Sequence, residues 1–232
     1  KKISDFSSTC HLTECNPQEL NWTKRFKDAS FSSFLSLYIK EIRKGLPYGD
    51  LDIKDFKLES QEENYVLNNL SLQLYPSDNL SELKMQSDFA TVYLKGDLAP
   101  NSIKKYGEYL VTHYLADSVK SKNIDTRNLK DWKLSAQIKK TDILQKLLNI
   151  PIGTSGTFSI EGNLQPQKDY IYLSSYCQGL NYNNVELQDL TLFLQGRDQQ
   201  LTSLIQAKKP TAQSYVQVSL SNNILNNNIS TH

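Results

Sequence analysis

Two cysteines and a histidine, Cys10, His11 and Cys15, stand close together near the start of this 232-residue chain. Thiolate and imidazole are zinc ligands, but a zinc site usually draws on four of them in two close pairs, and no second pair follows. A disulfide between Cys10 and Cys15, or free thiols, are the remaining readings. With Cys177 the count is odd, so a fully paired framework within one chain is excluded. Cys177 itself, in Tyr176-Cys177-Gln178, reads as a small apolar filler on a strand. His113 and the terminal His232 have no acid partner at a diagnostic spacing. His113, beside Tyr109 and Tyr114, reads as a half-buried structural histidine rather than a general base.

Other constellations dissolve on their spacing. Gly153-Thr154-Ser155-Gly156 lacks the glycine and lysine positions of a phosphate loop and the geometry of a nucleophile elbow. Ser-x-x-Lys at Ser81–Lys84 and at Ser102–Lys105 is expected by chance in a chain rich in both residues. Asp50, Asp52 and Asp55 lack the glycine and closing glutamate of a calcium loop, and read as the solvated face of a strand. The sequons at Asn21, Asn69, Asn79 and Asn228 need no explanation in an Asn-rich sequence. The chain therefore reads as non-catalytic, with no metal and no cofactor.

Composition narrows the classes further. Lys and Arg number 26 against 25 Asp and Glu, and the basic pairs Lys104-Lys105 and Lys208-Lys209 are too short to bind nucleic acid. The hydrophobic fraction of 38% is low for a compact globule but suits an elongated sheet, with its large surface. No apolar stretch nears the ~20 residues of a membrane-spanning helix. A first residue of Lys1, and an end at Asn226-Asn227-Asn228-Ile229-Ser230 in what reads as mid-strand, suggest a segment cut from a larger protein.

The elements that must position any site are strands. Leu70, Leu72 and Leu74 alternate with Ser71 and Gln73, and Val92 and Leu94 with Thr91, Tyr93 and Lys95. The same alternation runs through Trp132–Ile138, Phe158–Ile160, Ile171–Leu173, Leu190–Leu194 and Val216–Leu220. Successive side chains of a strand point to opposite faces, so each run predicts a sheet with one apolar and one mainly polar side. Turn signals at Glu62-Glu63-Asn64, Pro76-Ser77-Asp78-Asn79, Asn183-Asn184, Gly196-Arg197-Asp198 and Lys209-Pro210 come at short intervals, as in an antiparallel meander.

Three segments carry helical spacing instead. Phe31, Phe34, Leu35, Tyr38, Ile39 and Ile42 predict a helix over 31–44; Ile103, Tyr106, Leu110 and Tyr114 one over 102–116; Ile143, Leu144, Leu147 and Leu148 one over 141–149. Weak internal similarity relates Gly49–Leu74 to Gly156–Leu194, each with a Gly-led strand before an Asn-containing turn and a Leu-x-Leu-x-Leu strand. The expected division is 1–48, an N-terminal segment with one amphipathic helix; 49–125, a β unit ending in a helix; and 126–232, a second β unit cut off at its C-terminal end.

The strand grammar from Gly49 to about residue 225 resembles the TamB branch of the AsmA-like cell-envelope proteins, in versions from Bacteroidota-type bacteria. It rests on Leu83-Lys84-Met85-Gln86-Ser87-Asp88-Phe89-Ala90 and Val92-Tyr93-Leu94-Lys95-Gly96-Asp97-Leu98. There Ser87-Asp88 followed by Lys95-Gly96-Asp97 is similar to an "SD…GD" step before a helix in that branch. Trp132–Ile138, Ile150-Pro151-Ile152-Gly153-Thr154 and Gly162-Asn163-Leu164 resemble a next unit. The resemblance implies an elongated, curled antiparallel sheet built from repeats, a taco-like groove with a few short helices. It would belong to a periplasmic protein anchored in the inner membrane. Phospholipid acyl chains would be the cargo, and an outer-membrane β-barrel assembly protein the partner at the parent's far end. The even spacing within the runs then puts Leu70, Leu72, Leu74, Val92, Leu94, Leu134, Ile138, Phe158, Ile160, Leu190, Leu192 and Leu194 on one concave face. The alternatives are a scaffold or protein-interaction module whose groove is filled by its own helices, and a β-rich adhesin or carbohydrate domain using Tyr170, Tyr172, Tyr176 and Tyr182.

Overall fold

Apolar side chains at every second position can be buried together only if the backbone is extended and its polar groups are met by neighbouring strands. The computed structural model of the chain describes residues 5–19, 29–43, 45–60, 64–115, 126–139, 152–182, 185–198, 200–210, 215–225 and 228–231. In it one antiparallel sheet of 14 strands meets that requirement. The strands are β1 (Phe6–Cys15), β2 (Ser30–Arg43), β3 (Leu46–Glu59), β4 (Asn64–Ser77), β5 (Leu80–Ser87), β6 (Ala90–Gly96), β7 (Trp132–Ile138) and β8 (Ile152–Thr154), then β9 (Phe158–Gln165), β10 (Tyr170–Tyr182), β11 (Val185–Arg197), β12 (Gln200–Pro210), β13 (Tyr215–Leu225) and β14 (Asn228–Thr231). Helix α1 (Pro100–Leu110) lies between β6 and β7.

Order in space follows order in the chain, except that β8 pairs with the far end of β10 and leaves β9 to join β7 to β10. The path ends in β1 and β14, so the sheet is open, elongated and curled. At about 4.8 Å per strand it spans roughly 55–60 Å along the hydrogen-bonding direction. It runs on past residues 48–49, because β2 pairs with β3 from Ser30–Glu59 to Arg43–Leu46, with a one-residue register shift between Ile39–Gly49 and Glu41–Tyr48.

Acidic residues in the left-handed region make the corners and bulges. Asp78, Asp169 and Asp198, at φ 54°, 47° and 51°, turn the hairpins β4–β5, β9–β10 and β11–β12. Glu14, Asp55 and Asp189, at 49°, 52° and 49°, sit where the register slips by one residue. Asp tolerates this conformation better than most residues, and an inserted residue increases local twist and bends the strand. At Asp55 the bulge also changes which parity faces inward: Leu51 and Ile53 before it, Phe56 and Leu58 after it.

The helix expected over 31–44 is not what forms: residues 31–43 belong to strand β2, and residue 44 lies outside the described residues. Phe31, Ser33, Leu35, Leu37 and Ile39 fall on one side at period two, and Phe34 and Tyr38 occupy the other side. Aromatics on the outer face filled the gaps in the alternation and mimicked a helical stripe. Pairing with β1 and β3 on both edges decides the matter. The helix expected over 102–116 forms, as α1 followed by a wider π turn at Val111–Leu115. Pro100 at its first turn suits the start, and Asp97 holds the entry by accepting from the Ser102 hydroxyl at 2.7 Å. The helix expected over 141–149 lies outside the described residues. The two similar units also differ: β3 and β4 are adjacent, whereas β10 stands between β9 and β11.

Candidate functional site

In an antiparallel pair, residues directly opposite each other point to the same side, so the pairing registers trace rows across the sheet. The middle row runs from Leu37 through Leu51, Leu72, Met85, Val92 and Ala136 to Ile160, Ser175, Leu192 and Ile205. One flanking row joins Ile39, Gly49, Leu74, Leu83, Leu94 and Leu134 to Gly162, Leu173, Leu194 and Ser203. The other joins Leu35, Ile53 and Leu70 on one side and Ala90, Ile138, Phe158, Cys177 and Leu190 on the other, with Ser87 between them. The twelve residues expected to line the groove therefore stand on a single face. These three rows contain no charged residue. Leu74 alone among those twelve is buried; the other eleven are half-buried.

The opposite face carries the charge. Gln73, Lys84, Ser135 and Glu161 occupy the positions between the apolar ones, and Glu82 pairs with Lys84 at 3.1 Å and Lys95 at 3.8 Å. Asp50 and Asp52 lie on this side too, and the Tyr75 hydroxyl donates a hydrogen bond to the Asp50 carboxylate, which helps push the Tyr75 pKa up to about 12. Tyr172 meets Phe193 edge-on at 5.8 Å.

One margin of the apolar face is roofed by α1 and the turn after it. Tyr106 packs edge-on over Trp132 at 5.1 Å, and its hydroxyl donates to the Lys130 carbonyl at 2.8 Å while accepting from the Lys130 amide at 2.7 Å. Tyr114 is buried against Ile171 and Leu201. Two glycines make room for this roof: a Cβ at Gly96 would lie 2.7 Å from the Trp132 ring, and one at Gly196 would lie 2.8 Å from Tyr114 and 2.5 Å from Ile171. Asp169, at the β9–β10 turn, clasps the roof by binding His113 Nε2 at 2.5 Å and accepting from the Tyr114 hydroxyl at 2.8 Å. Burial, and then the Asp169 carboxylate, raise the Tyr114 pKa, and the same causes push Tyr109 up to about 12.

The far margin is closed by Phe31, Leu58 and Tyr65 and by Leu67, Phe89 and Ala90. Between the margins, Leu72, Val92, Leu134, Ile160 and Leu192 belong to none of the buried clusters.

The thiols are all free, and the disulfide reading of Cys10 and Cys15 fails. Both lie on β1, where five residues of strand hold the Cα atoms roughly 15 Å apart, well outside bonding range. Among the described residues no group of three or more His, Cys, Asp or Glu side chains is placed to hold a metal ion. No described helix is long and apolar enough to cross a membrane. Leu35, Leu37, Leu51 and Ile53 belong to the face but were missed, because β2 read as a helix and the Asp55 bulge broke the alternation of β3. The Asp169 partner of His113 carried no sequence signal, being 56 residues away.

No family model, no curated protein and no solved structure matches this chain.

Proposed function

We propose that this chain is a non-catalytic segment of a TamB-like envelope protein, and that its apolar face carries phospholipid acyl chains between membranes in support of outer-membrane assembly. The supporting observation is the uncharged, half-buried centre of that face, many strands wide and bordered by packed margins. An apolar surface of this extent has to meet another apolar surface, and each buried CH₂ contributes about 0.8 kcal/mol, so a chain of about sixteen carbons is held without any charged contact. Headgroups would remain at the rim, where charge is tolerated. The parent protein would sit in the periplasm, anchored in the inner membrane and meeting a β-barrel partner at its far end.

The roof formed by α1 favours a second reading, a scaffold whose groove is occupied by its own helices. Photo-crosslinking in the parent protein separates the two. Phospholipid adducts at Leu72, Leu94 and Leu192 with none at Gln73, Lys95 and Thr191 are expected for the lipid reading. Equal labelling of both faces, or no lipid adduct on either, leaves the scaffold.

A further inference from the structure

We propose that the cavity beside Tyr48 and Ser81 is a seat for a phosphodiester that carries a primary ammonium, the chemistry of an ethanolamine headgroup. Its volume is about 370 Å³, within the range of small-molecule sites. Its walls come from the end of β2 (Arg43), the start of β3 (Tyr48), the β4–β5 hairpin (Asp78 and Ser81), the residue after β6 (Asp97) and Lys130, two residues before β7. It adjoins the apolar face: Tyr48 is packed with Leu74 and Leu98 in one buried cluster, against which Leu83, Leu94 and Trp132 lie.

A proton without an acceptor points to the ligand. Tyr48 and Ser81 are 5% and 3% exposed, and their hydroxyl oxygens lie 2.6 Å apart. Each hydroxyl carries one proton, and the bond between them uses one. The other proton has no acceptor among the described residues. A buried donor left in that state is costly, and an anionic oxygen entering the cavity satisfies it.

Charge specifies the rest. Arg43 and Lys130 bring two positive charges to the lining, and Asp78 and Asp97 two negative ones, a balance that fits a zwitterion better than a bare anion. Arg43 pairs with Glu41 at 2.7 Å, while Lys130 and Asp78 have no ion-pair partner among the described residues. Asp97 accepts from the Ser102 hydroxyl at 2.7 Å and the Ala99 amide at 3.4 Å. The Tyr106 hydroxyl binds both the amide and the carbonyl of Lys130, so that side chain starts from a fixed backbone. Phosphate oxygens would take the spare hydroxyl proton and the Lys130 ammonium, and the ligand's own ammonium would donate to Asp78 and Asp97. A quaternary ammonium has no proton to donate and is held by a cage of aromatic faces, whereas Tyr48 is the one aromatic side chain in the described lining. As a lipid headgroup this ligand rests on the acyl-chain reading above; as a free phosphodiester it does not.

Calorimetric titration of the chain with glycerophosphoethanolamine, which has no acyl chains, is expected to show saturable binding at least tenfold tighter than that of glycerophosphocholine or inorganic phosphate. Tyr48→Phe with Ser81→Ala removes donor and acceptor together, so that the fold is spared while affinity falls at least tenfold. Should that variant misfold, Lys130→Gln, a change at an exposed side chain, should weaken binding as much, and Lys133→Gln on the opposite face should not. Dihexanoyl phosphatidylethanolamine below its micelle concentration, bound at least tenfold tighter than the headgroup alone, would make the ligand a lipid; equal affinity would keep the site and make its ligand a free phosphodiester. Missing lipid crosslinks at Leu72 and Leu192 would count against the acyl-chain reading alone. No saturable binding of glycerophosphoethanolamine, equal binding of glycerophosphocholine, or affinity indifferent to Lys130→Gln overturns the proposal.

Discussion

His113 Nε2 lies 2.5 Å from the Asp169 carboxylate, which joins the turn after α1 to the corner between β9 and β10 across 56 residues of sequence. The same oxygen accepts the Tyr114 hydroxyl, so one side chain holds the roof of the apolar face at two points. Asp169→Ala removes both bonds and places an alanine at φ 47°, where Asp is better tolerated. A loss of about 2–3 kcal/mol in urea unfolding is expected from the two part-buried hydrogen bonds and the strain together. Asp169→Asn, which keeps an acceptor and tolerates the left-handed backbone, should lose less; equal losses in both variants would count against the clasp.

Base should loosen the same roof. The Tyr109 pKa is raised to about 12 in the folded chain, chiefly by burial and then by Asp169, against 10.0 as its ordinary value. Above pH 10 the unfolded chain has released this proton and the folded chain has kept it. Its contribution is therefore complete below pH 10 and is lost as pH rises through about 12. The decline approaches about 1.4 kcal/mol per pH unit between those limits. Tyr109→Phe should flatten that limb of the stability–pH curve; an unchanged slope refutes the assignment.

Gly96 seats the Trp132 indole, and any Cβ there meets the ring at 2.7 Å. Gly96→Ala should cost about 1–3 kcal/mol, as overpacking does, and should shift Trp132 fluorescence by moving it from under Tyr106. Measured in a Trp22→Phe background, an emission spectrum and melting midpoint equal to those of the parent would show that the seat is not needed.

The three thiols should separate by reactivity. Cys10 is exposed and Cys15 half-buried, while Cys177 is 1% exposed, donates to the Gly179 carbonyl at 3.1 Å, and has its pKa raised by burial. A chromogenic disulfide reagent at neutral pH should label Cys10 first and reach Cys177 only in denaturant. Rapid labelling of Cys177 in the native chain would contradict the packing of β10 against β9 and β11.

On the apolar face, Leu134→Asp and Leu192→Arg should block lipid delivery by the parent protein through the desolvation cost of a charge in the path, whereas Gln137→Asp should be silent. Delivery assays that rank the three alike would remove the lipid reading.

Period two alone placed Leu70, Leu72 and Leu74 together, and likewise Leu190, Leu192 and Leu194, because a strand leaves its side chains no other choice of side. The helix near Tyr106 and Tyr114 was legible for the same kind of reason: its apolar positions recur at helical spacing, with Pro100 marking the start. Strand β2 was not legible, since Phe34 and Tyr38 are apolar on the outer face and a local pattern cannot say which neighbours will pair with the backbone. Nor could it reveal that the alternation of β3 changes phase at Asp55, that Gly96 and Gly196 lie under rings of other elements, or that Asp169 reaches His113. Side-chain alternation is a property of a few consecutive residues and is written into them. Register, bulge position and contacts between distant turns are set by which strands pair, and that is decided only when the whole sheet assembles.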